Sequence, residues 1–375
     1  MMGQPNKTKI FAAYLPQFHE TEDNNRFWGK GFTDWDGVRN ARPQYDGHDQ
    51  PRVPLNGKYY DLSDVNDISE QALIAKKYGI DGFNIYHYWF KDGKQELQLP
   101  AELLLQHKEI NIEYFFTWDN NSWRRTWSSI KGNDWAPSND DSRKQGPAVL
   151  CELDYGNEEQ WEKHFQYLLQ FFKDDRYYRI DGKPVFAFMT YQYAPVMKCM
   201  IRYWKRRAVE NGINGIYILT NYEHMKGRFK EDKYFVYQPS YSAWSARSRW
   251  ENRLERYLKI KPRYDAPVKY LYDYDDVWQK IISFSKNNTD VIQGAFVSYD
   301  DTPRRGKKAL IIKGSSPELF EKNFSKMYIG CCNNAQPFIF FTAWNEWGEG
   351  AYLEPDEKHG YSYLECIKRV KEKIC

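Results

Sequence analysis

The chain has 375 residues, with 54 Lys and Arg against 51 Asp and Glu, a formal net charge of +3. That near balance removes any electrostatic case for nucleic acid or an anionic membrane as partner, and no apolar run approaches the ~20 residues of a membrane span. Aromatic residues make up 18%, with 14 Trp, 30 Tyr and 22 Phe; core packing must account for most, but such rings also stack on the apolar faces of sugars. Six cysteines, at 151, 199, 331, 332, 366 and 375, are scattered and form no Cys-x-x-Cys motif, which predicts reduced thiols rather than a disulfide framework or zinc site. Met1 to Lys9 is polar and lacks the apolar stretch of a secretory signal, so the expectation is a soluble, cytoplasmic chain.

In chain order, eight short apolar or β-branched runs alternate with segments of helical periodicity. They are Ile10 to Tyr14, Gly82 to Tyr86, Ile112 to Thr117, Val185 to Met189, Ile216 to Leu219, Phe235 to Gln238, Gly294 to Ser298 and Phe338 to Thr342. Alternation of this kind predicts an α/β fold, a (β/α)8 TIM-type barrel with long βα loops, as one domain over residues 1–375. Asp67-Ile68-Ser69-Glu70 reads as a capping box for a helix running to Tyr78. Trp161, Phe165, Leu168, Leu169 and Phe172 form one apolar stripe; Met197 to Glu210, Ser316 to Tyr328 and Leu364 to Ile374 are the later helices. Gly29 to Tyr59 and Lys226 to Tyr274 do not fit the alternation and read as long loops, of the kind that surround a barrel's active site.

The eighth run leads straight into Ala343-Trp344-Asn345-Glu346-Trp347-Gly348-Glu349-Gly350. Two carboxylates three residues apart, beside Trp and flexible Gly at the carboxyl end of a strand, can enter one pocket if the loop turns between them. Glycosidic cleavage needs such a pair, one group protonating the departing oxygen and the other acting as base or nucleophile. Glu346 and Glu349 are therefore the candidate catalytic residues. Other strand ends supply a polar and aromatic bowl as candidate substrate contacts: Tyr14, Gln17 and His19 with Asp34 and Trp35; Tyr86, His87 and Trp89; Trp118, Asn120, Asn121 and Trp123; and Trp344, Asn345 and Trp347. His19 reads equally as a sugar contact and as a structural donor. Tyr299 to Arg305 could bring charged groups to the rim or form a solvated turn with a buttressing ion pair. Asp273-Tyr274-Asp275 has the spacing of a metal-diphosphate site but lacks a glycine-rich phosphate cradle. No His pair at i, i+4 occurs either, so neither cofactor nor metal is expected.

Taken together, Tyr14 to His19, Trp28 to Trp35, Tyr78 to Phe83, Tyr86 to Phe90 and Trp344 to Gly350 resemble the WbsX-like proteins, which carry a glycosyltransferase label and are similar to glycoside hydrolase family 99. That resemblance spans about Ile10 to Leu364. It implies a barrel that cleaves α-mannosidic linkages internally, with retention and without metal, through a 1,2-anhydro sugar, with Glu346 as base on the 2-hydroxyl and Glu349 as acid/base. It also implies a role in surface polysaccharide metabolism, with an oligo- or polysaccharide as substrate. WbsX-like sequences usually carry Glu where this chain has Asn121, which alters a substrate contact. Two other functions are weighed against this one: a sugar-nucleotide-dependent glycosyltransferase and a non-catalytic glycan-binding protein.

Overall fold

A computed structural model describes residues 7–124, 149–190, 194–225, 231–245 and 270–374. Its centre is a ring of eight parallel strands: β1 (Lys9–Tyr14), β2 (Gly82–His87), β3 (Glu113–Trp118), β4 (Lys183–Phe188), β5 (Tyr217–Asn221), β6 (Lys233–Phe235), β7 (Gly294–Phe296) and β8 (Phe338–Thr342). The spatial order runs β7, β8, β1, β2, β3, β4, β5, β6. Closure comes from a parallel bridge between Phe235 and Ile292, where Val236 N donates to Ile292 O at 3.0 Å and Ile292 N to Tyr234 O at 2.8 Å. The expected (β/α)8 barrel is present. The sixth strand lies earlier than its apolar run suggested, because the ladder to β5 uses Lys233–Phe235.

Beyond their first residues both faces of these strands are buried, one against the barrel axis and one against the helices. At the amino end the axis is filled by rings. Phe11 lies 5.1 Å from Phe115, 5.4 Å from Phe338 and 4.5 Å from Tyr178. Gly82 leaves space for this plug, since a Cβ there would sit 2.3 Å from the Phe11 ring. Higher up, Phe235 stacks on Phe340 at 4.6 Å. The interior is thus a packed core, and the open end is the carboxyl end of the strands.

Helices cover the outside. Glu158–Phe172 starts at Asn157, whose side chain accepts from Glu159 N and Gln160 N in a capping box, and it buries Phe165, Leu168, Leu169 and Phe172. Val65–Lys77 is capped by Asp64, three residues before the expected cap. Asp67 is diverted to Asp61 N at 3.1 Å and to Lys58 at 2.8 Å. Pro317–Asn333 has the Ser316 cap and first-turn proline its sequence announces, and Ser362–Ile374 ends the described chain. Gly29 to Tyr59 is not wholly loop, since Asp34–Asn40 is a short helix. Much of Lys226 to Tyr274 lies outside the described residues. No helix among those described is long and apolar enough to cross a membrane.

Candidate active site

After β8 the chain makes a tight hairpin. Asn345 and Glu346 pair with Ala351 and Tyr352, a single turn holds Trp347–Glu349, and Gly350 closes it at φ +55°. Asn345 ties this hairpin to the loop after β1, its Oδ1 accepting from Leu15 N at 2.7 Å and its Nδ2 donating to Leu15 O at 3.0 Å. Trp347 stacks on Tyr352 at 3.7 Å, and its Nε1 donates to the buried Glu354 at 2.6 Å. The two glutamates therefore project from a hairpin anchored on both sides.

Arg304, from the short helix Thr302–Arg305 after β7, organises their carboxylates. Its Nη1 donates to Glu349 Oε1 at 3.0 Å and its Nη2 to Asp34 Oδ2 at 3.0 Å. Nη2 also lies 2.9 Å from Glu346 Oε1, completing an ion-pair cluster around the guanidinium. Tyr299 OH donates to Glu349 Oε2 at 3.0 Å. The backbone permits this because residue 348 is glycine: a Cβ there would fall 2.6 Å from Arg304 Nε.

Burial pushes the Glu346 carboxyl up to about 8; Arg304 pulls against that shift, while Glu349 and Asp34 add to it. Asp34 is raised for the same first reason, with Arg304 opposing. Asp119, at the end of β3, is pushed up to about 6 by burial and further by Glu349, against a hydrogen bond from Asn121 Nδ2 at 2.7 Å. Tyr88 and Tyr237 feel the charge of Glu346, and burial raises both phenols so that they stay neutral donors.

The residues expected in the bowl divide by the direction each faces. Asp34 and Tyr86 lie on the site side, Tyr86 pairing with Tyr237 and interacting with Asp119. Asn121 reaches the site through Asp119, and Trp123 packs edge-on against Tyr88 at 5.1 Å. Trp35 forms the wall behind, 5.6 Å from Trp347, with its Nε1 donating to Tyr60 O. Others face the helices or the loops. Tyr14 OH donates to Gln71 at 2.6 Å on the helix Val65–Lys77. His87 meets His164 at 2.7 Å between their Nε2 atoms, Trp89 stacks on His164 at 4.1 Å, and Trp118 packs on Trp204. Burial pushes His87 down to about 3, leaving it a neutral packing residue. Asn120 pins Thr190 and Tyr155, and Trp344 lies against Phe83. Gln17 and His19 are buried, the latter beside Asp61 and the Pro16 carbonyl. Asp273 of the Asp-x-Asp motif is a helix cap, accepting from Asp275 N and Asp276 N.

Of the two alternatives open for Tyr299 to Arg305, the site takes the first for Arg304 and Tyr299, while Tyr88, Tyr237 and Asp119 are contacts that the sequence does not single out. Strand parity could have found two of them: Tyr88 is two residues beyond Tyr86, and Asp119 two beyond Thr117, on the inward face in each case.

The fold is a (β/α)8 barrel whose last strand leads into two carboxylates among aromatic rings, at the end where barrel active sites occur. The chain belongs to the WbsX glycosyltransferase family, whose sequence pattern matches residues 10–367. It is 27% identical over 370 residues to the uncharacterized protein WxcX of Xanthomonas campestris pv. campestris, covering 96% of this chain and 49% of the relative. It thus spans about half the length of the curated relatives it matches. In fold it is similar to a GH99 endo-alpha-mannosidase from Bacteroides thetaiotaomicron solved with BIS-TRIS-Propane (TM-score 0.56, 13% identity, 97% of this chain and 96% of that one). A second similar structure is a glycoside hydrolase-like protein (TM-score 0.55, 14% identity, 99% and 95%).

Proposed function

We propose that this domain cleaves or transfers an α-linked, mannose-like glycosidic bond with retention, using Glu346 and Glu349, in the metabolism of a surface polysaccharide. The observation that carries the reading is the carboxylate pair on the hairpin after β8, held by one guanidinium. In the first half-reaction Glu346 takes the proton of the sugar's 2-hydroxyl, whose oxygen attacks the anomeric carbon. The bond to the leaving oxygen breaks as Glu349 gives that oxygen its proton, leaving a 1,2-anhydro sugar. In the second half Glu349 takes a proton from water or an acceptor hydroxyl. The new oxygen attacks the same carbon, and Glu346 returns its proton to the 2-oxygen. Two inversions give retention.

One observation favours a second allocation. Burial raises Glu346 and so favours its protonated form in the empty site, which suits an acid more than a base. α-Mannosyl fluoride separates the two, because its leaving group needs no protonation. Under the first allocation Glu349→Gln still releases fluoride in the first half-reaction and Glu346→Gln does not; the reverse result exchanges the roles. Undiminished cleavage of an α-mannoside oligosaccharide by either variant would remove that residue from the mechanism. The family's label makes a sugar-nucleotide donor the main competing reading, but Asp273 is already committed to capping a helix. Product release from an oligosaccharide without any nucleotide sugar distinguishes the hydrolase or transglycosylase from it, and from a silent glycan binder.

A further inference from the structure

Asp119 is not explained by the chemistry above. It follows β3 on the inward face, and its neighbours fix it there. Trp118 and Asn120 are anchored outward, against Trp204 and on Thr190, and the Asp119 N donates to His87 O at 3.1 Å. One carboxylate oxygen, Oδ1, accepts from Asn121 Nδ2 at 2.7 Å. No Lys or Arg among the described residues pairs with it, and the charge it feels most is the like charge of Glu349. Arg304, the cation of the site, is already shared by Asp34, Glu346 and Glu349. A half-buried carboxylate with one oxygen held by Asn121, its second oxygen uncommitted and no cation beside it among the described residues, is an unfavourable arrangement unless a ligand completes it. Beside it stand the neutral phenols of Tyr86 and Tyr88, whose rings lie 6.3 Å apart at 16°. An aromatic face next to an unpaired carboxylate receives a polyhydroxylated ring bearing a positive charge better than a neutral or anionic one.

We propose that Asp119 is a specificity-determining carboxylate that selects, among glycans, those bearing an amino group, whose ammonium pairs with the free oxygen of Asp119 beside Glu349. This rests on the glycan-processing reading and narrows its substrate class. In the anhydro route the amino group stands elsewhere than at position 2, since the 2-oxygen does chemistry. Uronates and phosphorylated sugars are disfavoured by the same charge.

The test is calorimetric titration of the intact protein with bis-tris propane, a polyhydroxylated diamine, in an amine-free buffer. Wild type is expected to bind. Asp119→Asn keeps the acceptor for Asn121 and the shape, but is expected to bind at least about tenfold more weakly, as is Asp119→Ala, both with a melting temperature no lower than that of wild type. Wild-type affinity in Asp119→Asn, or no binding by the wild type, overturns the proposal. Neither readout needs turnover, so its failure is separate from that of the hydrolase reading, which stands or falls on oligosaccharide cleavage.

Discussion

Glu346 and Glu354 are both carboxyls whose burial holds them near 8, but only Glu346 faces the site. Glu354 lies behind the hairpin, where its Oε2 accepts from Trp347 Nε1 at 2.6 Å and from Tyr60 OH at 2.9 Å. Their folded-state pKa exceeds the unfolded value, so folding takes up protons. The resulting stability is fully present below the unfolded pKa of about 4.3 and is lost as pH climbs through about 8. Glu354→Gln, which keeps an acceptor oxygen for both donors, should therefore raise the melting temperature, with a gain that widens between pH 5 and 8; thermal scans across that range check it. A constant difference would mean that the burial of Glu354 is offset in some other way. The same shift gives Glu346 a kinetic signature. As a base it works only when ionised, so kcat/KM should rise towards pH 8; as an acid it would lose activity over that interval.

At the level of elements, the hairpin after β8 and the short helix after β7 function as one piece because Gly348 lets Arg304 lie against the turn. Gly348→Ala would place a Cβ 2.6 Å from Arg304 Nε and displace the guanidinium from both glutamates. Steady-state kinetics should show kcat/KM falling by about 10²-fold, the usual result of an ångström-scale misplacement, with little change in thermal stability. Near wild-type kinetics would mean that Arg304 adapts and is not a positioning residue. Elements were also where the sequence was most legible. Strand runs, the Ser316 helix start, the apolar stripe from Trp161 to Phe172 and the placement of Glu346 and Glu349 after the last strand could all be read from periodicity and capping. The inward or outward sense of each strand end could not. In a barrel wrapped by helices both strand faces are apolar and aromatic, so Tyr14, His87, Trp89, Trp118 and Trp344 look like site residues although they face the helix layer. Arg304 stayed an open alternative for a different reason: a basic residue after a strand looks the same whether it is solvated or held by acids from distant segments.

For the molecule as a whole, the ring of strands separates stability from chemistry. The Phe11, Phe115, Phe338 and Tyr178 plug fills the end opposite the site. Phe115→Ala should cost about 3–5 kcal/mol by opening a cavity there, measured by denaturant unfolding, while kcat/KM for the folded protein stays close to wild type. A parallel loss of activity at low temperature would mean that the two ends are coupled. The site itself behaves differently. Asp34 from one segment and Glu346 and Glu349 from the hairpin share a single guanidinium, so they act as one electrostatic unit. Losing any one acid lets Arg304 lean towards the remaining two. Free energies measured for single variants at these positions will then not sum, and a double variant such as Asp34→Asn with Glu349→Gln will be less impaired than the separate losses suggest. Natural variation should follow the same rule, with exchanges at positions 34, 304 and 348 tolerated in combination rather than one at a time.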